Sequence, residues 1–178
     1  MDIQKIRKYQ IFSVIFTFVF GTLLHFTYNW SGQNPIVGAF SSINESTWEH
    51  LKLLFFPMVL TIIIGYFYFD RSIPNLICSK TIGILVAIAF TIIFFYTYTG
   101  ILGKDVAFIS IISFFVAVVL GEFVSYLLII NKFKCDKIIS IIVLSILFIS
   151  FIIFTYKAPK IGLFKDPLTN SYGIYKEK

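Results

Sequence analysis

The chain has 178 residues, of which 58% are hydrophobic and 13% are charged, and its formal net charge is +6. Soluble domains average about 45–50% apolar and about 25% charged residues, so this composition excludes an ordinary soluble domain and predicts one helical bundle in a membrane. The lysines and arginines flank apolar runs. In that position they set the orientation of membrane spans. We therefore expect the chain to interact with the lipid bilayer and not to bind nucleic acid.

Five apolar runs approach the roughly 20 residues that cross about 30 Å of hydrocarbon. We therefore predict an all-α, polytopic transmembrane bundle with spans near residues 9–28, 45–69, 81–99, 106–130 and 138–156. The first run is longer than the apolar core of a typical signal peptide, so we expect it to remain as a span. Pro57 predicts a kink near Leu53–Pro57 in the second span, because proline removes a backbone hydrogen bond.

The distribution of basic residues predicts the orientation of the bundle. With the N-terminus inside, the two outer loops hold only Lys104, whereas the inner segments hold eight basic residues. These are Lys5, Arg7, Lys8, Arg71, Lys80, Lys132, Lys134 and Lys137. Five spans then place the C-terminal tail outside a multi-pass protein of the cell (plasma) membrane. Cys78 and Cys135 lie on the inner side, where we expect reduced thiols and no disulfide.

The tail, residues 157–178, is polar and rich in turn signals, but it is not poor in apolar residues as disordered tails are. It contains Ile161, Leu163, Phe164, Leu168, Tyr172, Ile174 and Tyr175. Exposure of these apolar side chains to water would be unfavourable in free energy. We therefore predict that the tail folds onto the outer face of the bundle, with Asp166 near Lys52 or His50.

The densest polar stretch is NESTWEHLK, which begins at Asn44 where the second span starts. Ser42-x-x-Glu45 and Ser46-x-x-Glu49 match the capping box, which is a purely structural explanation for the serines and glutamates. The spacing from Glu49 to Lys52 also predicts an ion pair on the surface of one helix. Capping does not explain the whole set of polar residues.

Two carboxylates and a histidine at one helix start, with His25 near the end of the first span, can hold a divalent metal or act as acid/base groups. We predict metal ligands at His25, Glu49 and His50, and catalytic groups at Glu45, Glu49 and His50. Predicted ligand contacts are Asn44, Trp48, Lys52, Trp30 and Asp166. The spacing matches no strong metal signature. Two alternatives stay open: an accessory subunit whose outer face docks a protein partner, and a transporter-like subunit.

Glu122 lies well inside the fourth span. A charge there costs on the order of 3 kcal/mol, so we expect Glu122 to face the bundle and to have a partner or carry a proton. Tyr126, one turn further on, is the partner that the spacing suggests. Gly121 and Ser125 form a small-x-x-x-small pair, which predicts close approach of a neighbouring helix.

The stretches HFTYNWSGQNPIVGAFSSI, NESTWEHLKLLFFP and LFKDPLTNSYGIY resemble a family of small, functionally uncharacterised integral membrane proteins of Gram-positive bacteria. The resemblance covers the first two spans and the tail. It implies a recurrent fold in which the outer cluster and the tail belong together, and it implies no activity. The matching positions are His25, Trp30, Asn44, Glu45, Ser46, Trp48, Glu49, His50, Lys52, Pro57, Asp166, Pro167, Tyr172 and Gly173.

Overall fold

Long apolar stretches form helices in the computed structural model, which describes residues 2–174. The helices are α1 (Ile3–Trp30), α2 (Pro35–Gly38), α3 (Thr47–Tyr68), α4 (Leu76–Leu102), α5 (Ala107–Ile130) and α6 (Lys137–Tyr156). All except α2 are long and apolar enough to cross a membrane. The prediction of an all-α bundle with five spans is therefore confirmed.

Two helices begin earlier than the hydrophobic pattern predicts. Helix α1 starts at Ile3 because the Asp2 carboxylate accepts hydrogen bonds from the backbone N–H groups of Gln4 and Lys5. Helix α4 starts at Leu76, so Lys80 lies on the helix and is fully buried, although we predicted it in a connection. A lysine marks the end of an apolar run only when its charge stays in water, and here the charge is neutralised inside the bundle.

The partner that neutralises Lys80 is Glu122 of α5. The Lys80 Nζ atom lies 2.6 Å from both carboxylate oxygens of Glu122. Tyr126, which we predicted as the partner, packs instead in the apolar cluster of Ile6 and Tyr9. Glu122 is thus buried with a partner, as the free-energy cost of a charged group in hydrocarbon requires. The partner comes from another helix.

Helices α4 and α5 pack closely because small residues line their crossing. A side chain at Gly121 would place its Cβ atom 2.6 Å from the Gly83 carbonyl oxygen, so the two backbones touch. The Ser125 hydroxyl donates to the Ser79 carbonyl across the same contact, at 3.1 Å. This is the close approach that the pair of Gly121 and Ser125 predicts.

Helices α1 and α3 cross at Gly21, which lies against the backbone carbonyl of Leu53. In a regular helix this carbonyl would accept a hydrogen bond from residue 57, but that residue is Pro57 and has no N–H group. Helix α3 nevertheless continues from Thr47 to Tyr68. A Cβ atom at position 21 would clash with the Leu53 oxygen, so only glycine fits this crossing.

The bundle has two ends, which we call the N-terminal face and the C-terminal face. The N-terminal face carries the start of α1 and the connections 69–75 and 131–136, and the C-terminal face carries segments 31–46, 103–106 and 157–174. Cys78 and Cys135 meet near the N-terminal face in a disulfide with 6.2 Å between their Cα atoms, so the prediction of free thiols is wrong. Beside the disulfide, the Asn75 side chain donates to the carbonyls of Leu128 in α5 and of Phe133 in the α5–α6 connection, which holds this connection next to the start of α4.

The tail lies on the C-terminal face. A 3-10 turn at Gly162–Phe164 inserts Phe164 beside the indole of Trp48, with 4.7 Å between ring centroids. The Asn44 side-chain amide donates to the Gly173 carbonyl at 2.9 Å. Leu168 remains 77% exposed, so only part of the apolar content of the tail is covered. Tyr175, Lys176 and Lys178 lie outside the described residues.

Candidate functional site

His25, Glu45 and His50 meet at the C-terminal face of the bundle. The Nε2 atoms of His25 and His50 lie 3.7 and 3.4 Å from the same Glu45 oxygen. One ligand atom from each residue falls within 4.8 Å of the other two, and the histidine rings meet edge to face with centroids 5.2 Å apart. We call these three residues the His–Glu–His cluster.

The start of α3 positions two members of the cluster. Ser46 is the N-cap of α3, and its hydroxyl accepts a hydrogen bond from the Glu49 N–H group. The Asn44 side chain accepts from the Ser46 N–H group at 2.9 Å and closes a tight turn around Glu45. Only half of the predicted capping box forms, because the Glu49 carboxylate accepts from the N–H group of Ile43 instead of that of Ser46.

The backbone also fixes which nitrogen of His50 carries hydrogen. The Nδ1 atom of His50 lies 3.0 Å from the Ser46 carbonyl oxygen, and a carbonyl can only accept. Nδ1 must therefore be the donor, so Nε2 of a neutral ring presents a lone pair toward the Glu45 carboxylate. Two acceptors that face each other at 3.4 Å require a cation between them, either a proton or a metal ion.

The cluster is half-exposed, and its charge favours ionised Glu45. The side chains of His25, Glu45 and His50 are 32%, 39% and 35% exposed, so an ion can reach them from solution. The neighbouring imidazoles of His25 and then His50, which attract the carboxylate when they are protonated, hold the pKa of the Glu45 carboxyl well below its usual range. Glu45 is therefore an anion throughout the neutral range, as a metal ligand must be.

The distances suit a metal with a small tetrahedral coordination shell. Zinc binds histidine nitrogen and carboxylate oxygen at about 2.0–2.2 Å, which places neighbouring ligand atoms about 3.3 Å apart. The two nitrogen-to-oxygen distances of 3.4 and 3.7 Å are close to this value. Two imidazoles and one carboxylate are also a donor set that transition metals accept.

Glu49, which we predicted as a metal ligand and catalytic group, does not join the cluster. Its side chain is buried and its carboxylate lies 2.5 Å from Lys52 Nζ, so the predicted ion pair is confirmed. Lys52 also donates to the Gly38 carbonyl and to the Thr155 hydroxyl, each at 2.8 Å. We call this set the Glu49–Lys52 network. A carboxylate whose charge is already matched by a buried lysine is a poor ligand for a cation.

The residues predicted as ligand contacts pack against, or form hydrogen bonds with, other parts of the protein. Trp48 packs against Phe151 and Phe164 with ring centroids 4.6 and 4.7 Å away. Trp30 is 68% exposed and stacks on Phe26, which fits an interfacial ring. The Asp166 carboxylate accepts hydrogen bonds within the tail, from the Leu168 N–H group and the Thr169 hydroxyl, in place of the predicted proximity to Lys52 or His50. The Asn44 side chain accepts from the Ser46 N–H group and donates to the Gly173 carbonyl, so it holds both the turn around Glu45 and the tail.

Sequence reasoning missed two parts of the site. Thr155 lies 103 residues beyond Lys52, so no local pattern connects them. The role of the Ser46 carbonyl was predictable from the sequence, because Ser46 precedes His50 by four residues and caps the same helix. Glu45 was predicted as catalytic, and the structure places it where we expected Glu49 to bind metal.

Comparison with known proteins places the chain in a family. The sequence model of the family of unknown function DUF6512 matches residues 1–174. The chain belongs to DUF6512. A search of curated proteins and a search of solved structures gave no significant match to this DUF6512 protein.

Proposed function

We propose that this DUF6512 protein binds a divalent transition-metal ion, Zn²⁺ for preference, in the His–Glu–His cluster. The ligands are Nε2 of His25, Nε2 of His50 and the carboxylate of Glu45. One observation carries the proposal: the hydrogen bond from His50 Nδ1 to the Ser46 carbonyl turns the opposite nitrogen, as an acceptor, toward the Glu45 carboxylate. Outer-shell bonds of this kind orient histidine ligands in known metal sites.

Three protein ligands leave room for a fourth. Structural zinc sites are closed by four protein ligands, whereas catalytic sites keep one position for water or substrate. Metal-assisted hydrolysis is therefore the reaction class that we propose for this site. The Glu49–Lys52 network borders it through the adjacent residue His50 and holds the start of α3 in place, while Glu49 takes no part in proton transfer because its carboxylate is buried against Lys52.

The proposed metal site faces the outside of the cell membrane. The support is the excess of basic residues in the short segments of the N-terminal face, which is typical of a cytoplasmic surface. The Cys78–Cys135 disulfide would then lie on the cytoplasmic side, where thiols are usually reduced. A cysteine introduced at Ser171 after removal of Cys78 and Cys135 decides the orientation. Labelling by an impermeant reagent in intact cells supports it, and labelling only after permeabilisation reverses it.

Metal analysis of the purified protein tests the metal site. We expect one zinc ion per chain, and His50→Ala and Glu45→Gln each lower the zinc affinity, by roughly a hundredfold or more for the histidine. Asp105→Asn is the control, because Asp105 is an acidic residue of the same face that accepts a hydrogen bond from Ser110 and lies outside the cluster. Equal zinc affinity in the parent and in His50→Ala would refute the proposal.

A transporter-like subunit is the second candidate, and buried hydroxyls of α1 favour it. Ser13 and Thr17 are fully buried, and their hydroxyls have no hydrogen-bond partner among residues 2–174. They share one face of α1 with Gln10, between the Lys80–Glu122 pair and the His–Glu–His cluster. A buried hydroxyl without a partner costs free energy, and a polar path along α1 would supply the missing partner.

Proton flux into proteoliposomes tests this second candidate. A polar path through α1 predicts a flux that Thr17→Val abolishes and that Thr22→Val leaves intact. Thr22 is a suitable control because it is exposed on the opposite side of α1 and donates to its own helix at Phe18. A parent protein with no more flux than empty liposomes excludes proton conduction.

A further inference from the structure

A cavity of about 780 Å³ opens at the N-terminal face, at the opposite end of the bundle from the proposed metal ligands. The start of α1 and the two connections 69–75 and 131–136 contribute its walls. Ligand pockets in proteins usually measure about 300–1,000 Å³, so the cavity has the size of a binding site for a small molecule or a lipid headgroup.

The rim of the cavity is positively charged. Lys5, Lys132 and Lys134 line it against a single carboxylate, that of Asp2. That carboxylate already accepts hydrogen bonds from two backbone N–H groups of the first turn of α1. The formal excess of two positive charges therefore remains available to an anion.

Neighbouring groups hold one of the three lysines at the rim. The Lys5 ammonium lies 4.7 Å from the ring centre of Tyr68 and 5.5 Å from that of Phe69, which are cation–π distances. Lys132 sits in the short α5–α6 connection with a left-handed backbone, at φ 50°. The disulfide at Cys135 and the hydrogen bond from the Asn75 side chain to the Phe133 carbonyl fasten this connection to the start of α4. The cationic rim is thus built on a constrained backbone.

The wall below the lysines is apolar. Ile6, Phe69 and Ile73 line the cavity with side chains that are otherwise buried, and Phe133 lines it while remaining 46% exposed. Inorganic phosphate would use the lysines and leave the ring of Phe133, the exposed part of this wall, in contact with water. A phospholipid uses both, because its phosphate meets the lysines and its glycerol and first methylene groups cover the wall. The cavity also lies at the ends of membrane-spanning helices, where lipids are the nearest molecules.

We propose that this cavity binds the headgroup of an anionic phospholipid. The phosphate lies between Lys5, Lys132 and Lys134, and the lipid backbone packs on the exposed ring of Phe133. The site is independent of the His–Glu–His cluster at the opposite face, so either proposal can fail without the other.

Lipid titration of the full chain in detergent tests the site. The probes are phosphatidylglycerol, phosphatidylcholine and inorganic phosphate, and the readout is the shift in unfolding temperature. We expect phosphatidylglycerol to stabilise the parent and phosphatidylcholine to have little effect. Lys132→Gln with Lys134→Gln weakens phosphatidylglycerol binding, by roughly 25-fold for two lost lysines. Lys8→Gln is the matched control, because Lys8 is an exposed lysine of α1 that does not line the cavity.

Three results would overturn the proposal. The first is equal stabilisation by phosphatidylglycerol and phosphatidylcholine. The second is equal loss in the double variant and in Lys8→Gln, which would indicate a diffuse charge effect. The third is stabilisation by inorganic phosphate alone to the same extent as by phosphatidylglycerol, which would assign the site to a soluble phosphate ligand. Lys5→Gln repeats the test with an exposed residue from a different wall, so misfolding of the double variant would not mask the answer.

Discussion

Glu45 and Glu49 lie four residues apart, yet they occupy opposite environments. Glu45 is 39% exposed and faces the imidazoles of His25 and His50. Glu49 is 2% exposed, and its charge is matched by Lys52 at 2.5 Å. The chain enters α3 between them: Glu45 precedes the N-cap Ser46 and escapes the helical periodicity, whereas Glu49 lies in the first turn and faces the bundle.

The comparison separates binding from stabilisation. A buried carboxylate needs a permanent counter-charge, and once it has one it is no longer free to bind a cation. A half-exposed carboxylate beside two imidazoles keeps that capacity.

The largest expected effect comes from removing the counter-charge of Glu49. Lys52→Met leaves a buried carboxylate without a partner, so we expect a loss of about 3–5 kcal/mol in the free energy of unfolding. Denaturation of the purified protein in detergent measures it. The double variant Glu49→Leu with Lys52→Met should lose much less, because neither charge remains. A single variant as stable as this double variant would show that the network does not hold the fold.

The next expected effect distinguishes the two glutamates as ligands. Glu45→Gln should lower zinc affinity more than tenfold, whereas Glu49→Gln should change it less than twofold, because Glu49 lies outside the cluster. Titration with zinc under identical conditions compares them. If Glu49→Gln lowers the affinity as much as Glu45→Gln, the buried pair opens in solution and the comparison fails.

The pH dependence of zinc binding follows from the two histidines. Protons compete with zinc for the imidazole nitrogens, so zinc affinity should fall as the pH is lowered from neutrality toward 5. Glu45 should contribute nothing to this fall, because its pKa is already depressed. Competition with a chelator at several pH values provides the measurement, and an affinity independent of pH over this range would exclude histidine ligands.

The smallest effect concerns Glu45 in the metal-free protein. Since its pKa is lowered in the folded state, its stabilising contribution is complete above the usual value of 4.5 and is lost as the pH falls toward the folded value. Half-exposed pairs contribute only about 0.2–1 kcal/mol, so Glu45→Gln should reduce stability slightly at pH 7. The difference between variant and parent should shrink below pH 4.5. A difference that grows as the pH falls below 4.5 would mean that the cluster raises the pKa of Glu45.

Apolar length predicted the five spans correctly, because crossing hydrocarbon depends on local composition. It misplaced the start of α4, because the burial of Lys80 depends on Glu122, which is 42 residues away. Local spacing likewise predicted the Glu49–Lys52 pair, but it placed Glu49 beside the two histidines, where the structure has Glu45. That choice depends on where the helix begins, and Ser46 fixes it through a cap whose competitor, Ser42, matches the same pattern.

The contacts of the tail have a consequence for the biogenesis of the protein. Membrane proteins emerge from the ribosome with the N-terminal residues first, so His25, Glu45 and His50 are made well before Thr155, Phe164 and Gly173. Those late residues bond to Lys52, pack on Trp48 and accept a hydrogen bond from Asn44. Until they arrive, Lys52 lacks its hydroxyl partner and the indole of Trp48 lacks its cover. The start of α3 is therefore completed only when α6 and the tail have been translated and have folded back, which makes assembly of the C-terminal face a late step in synthesis.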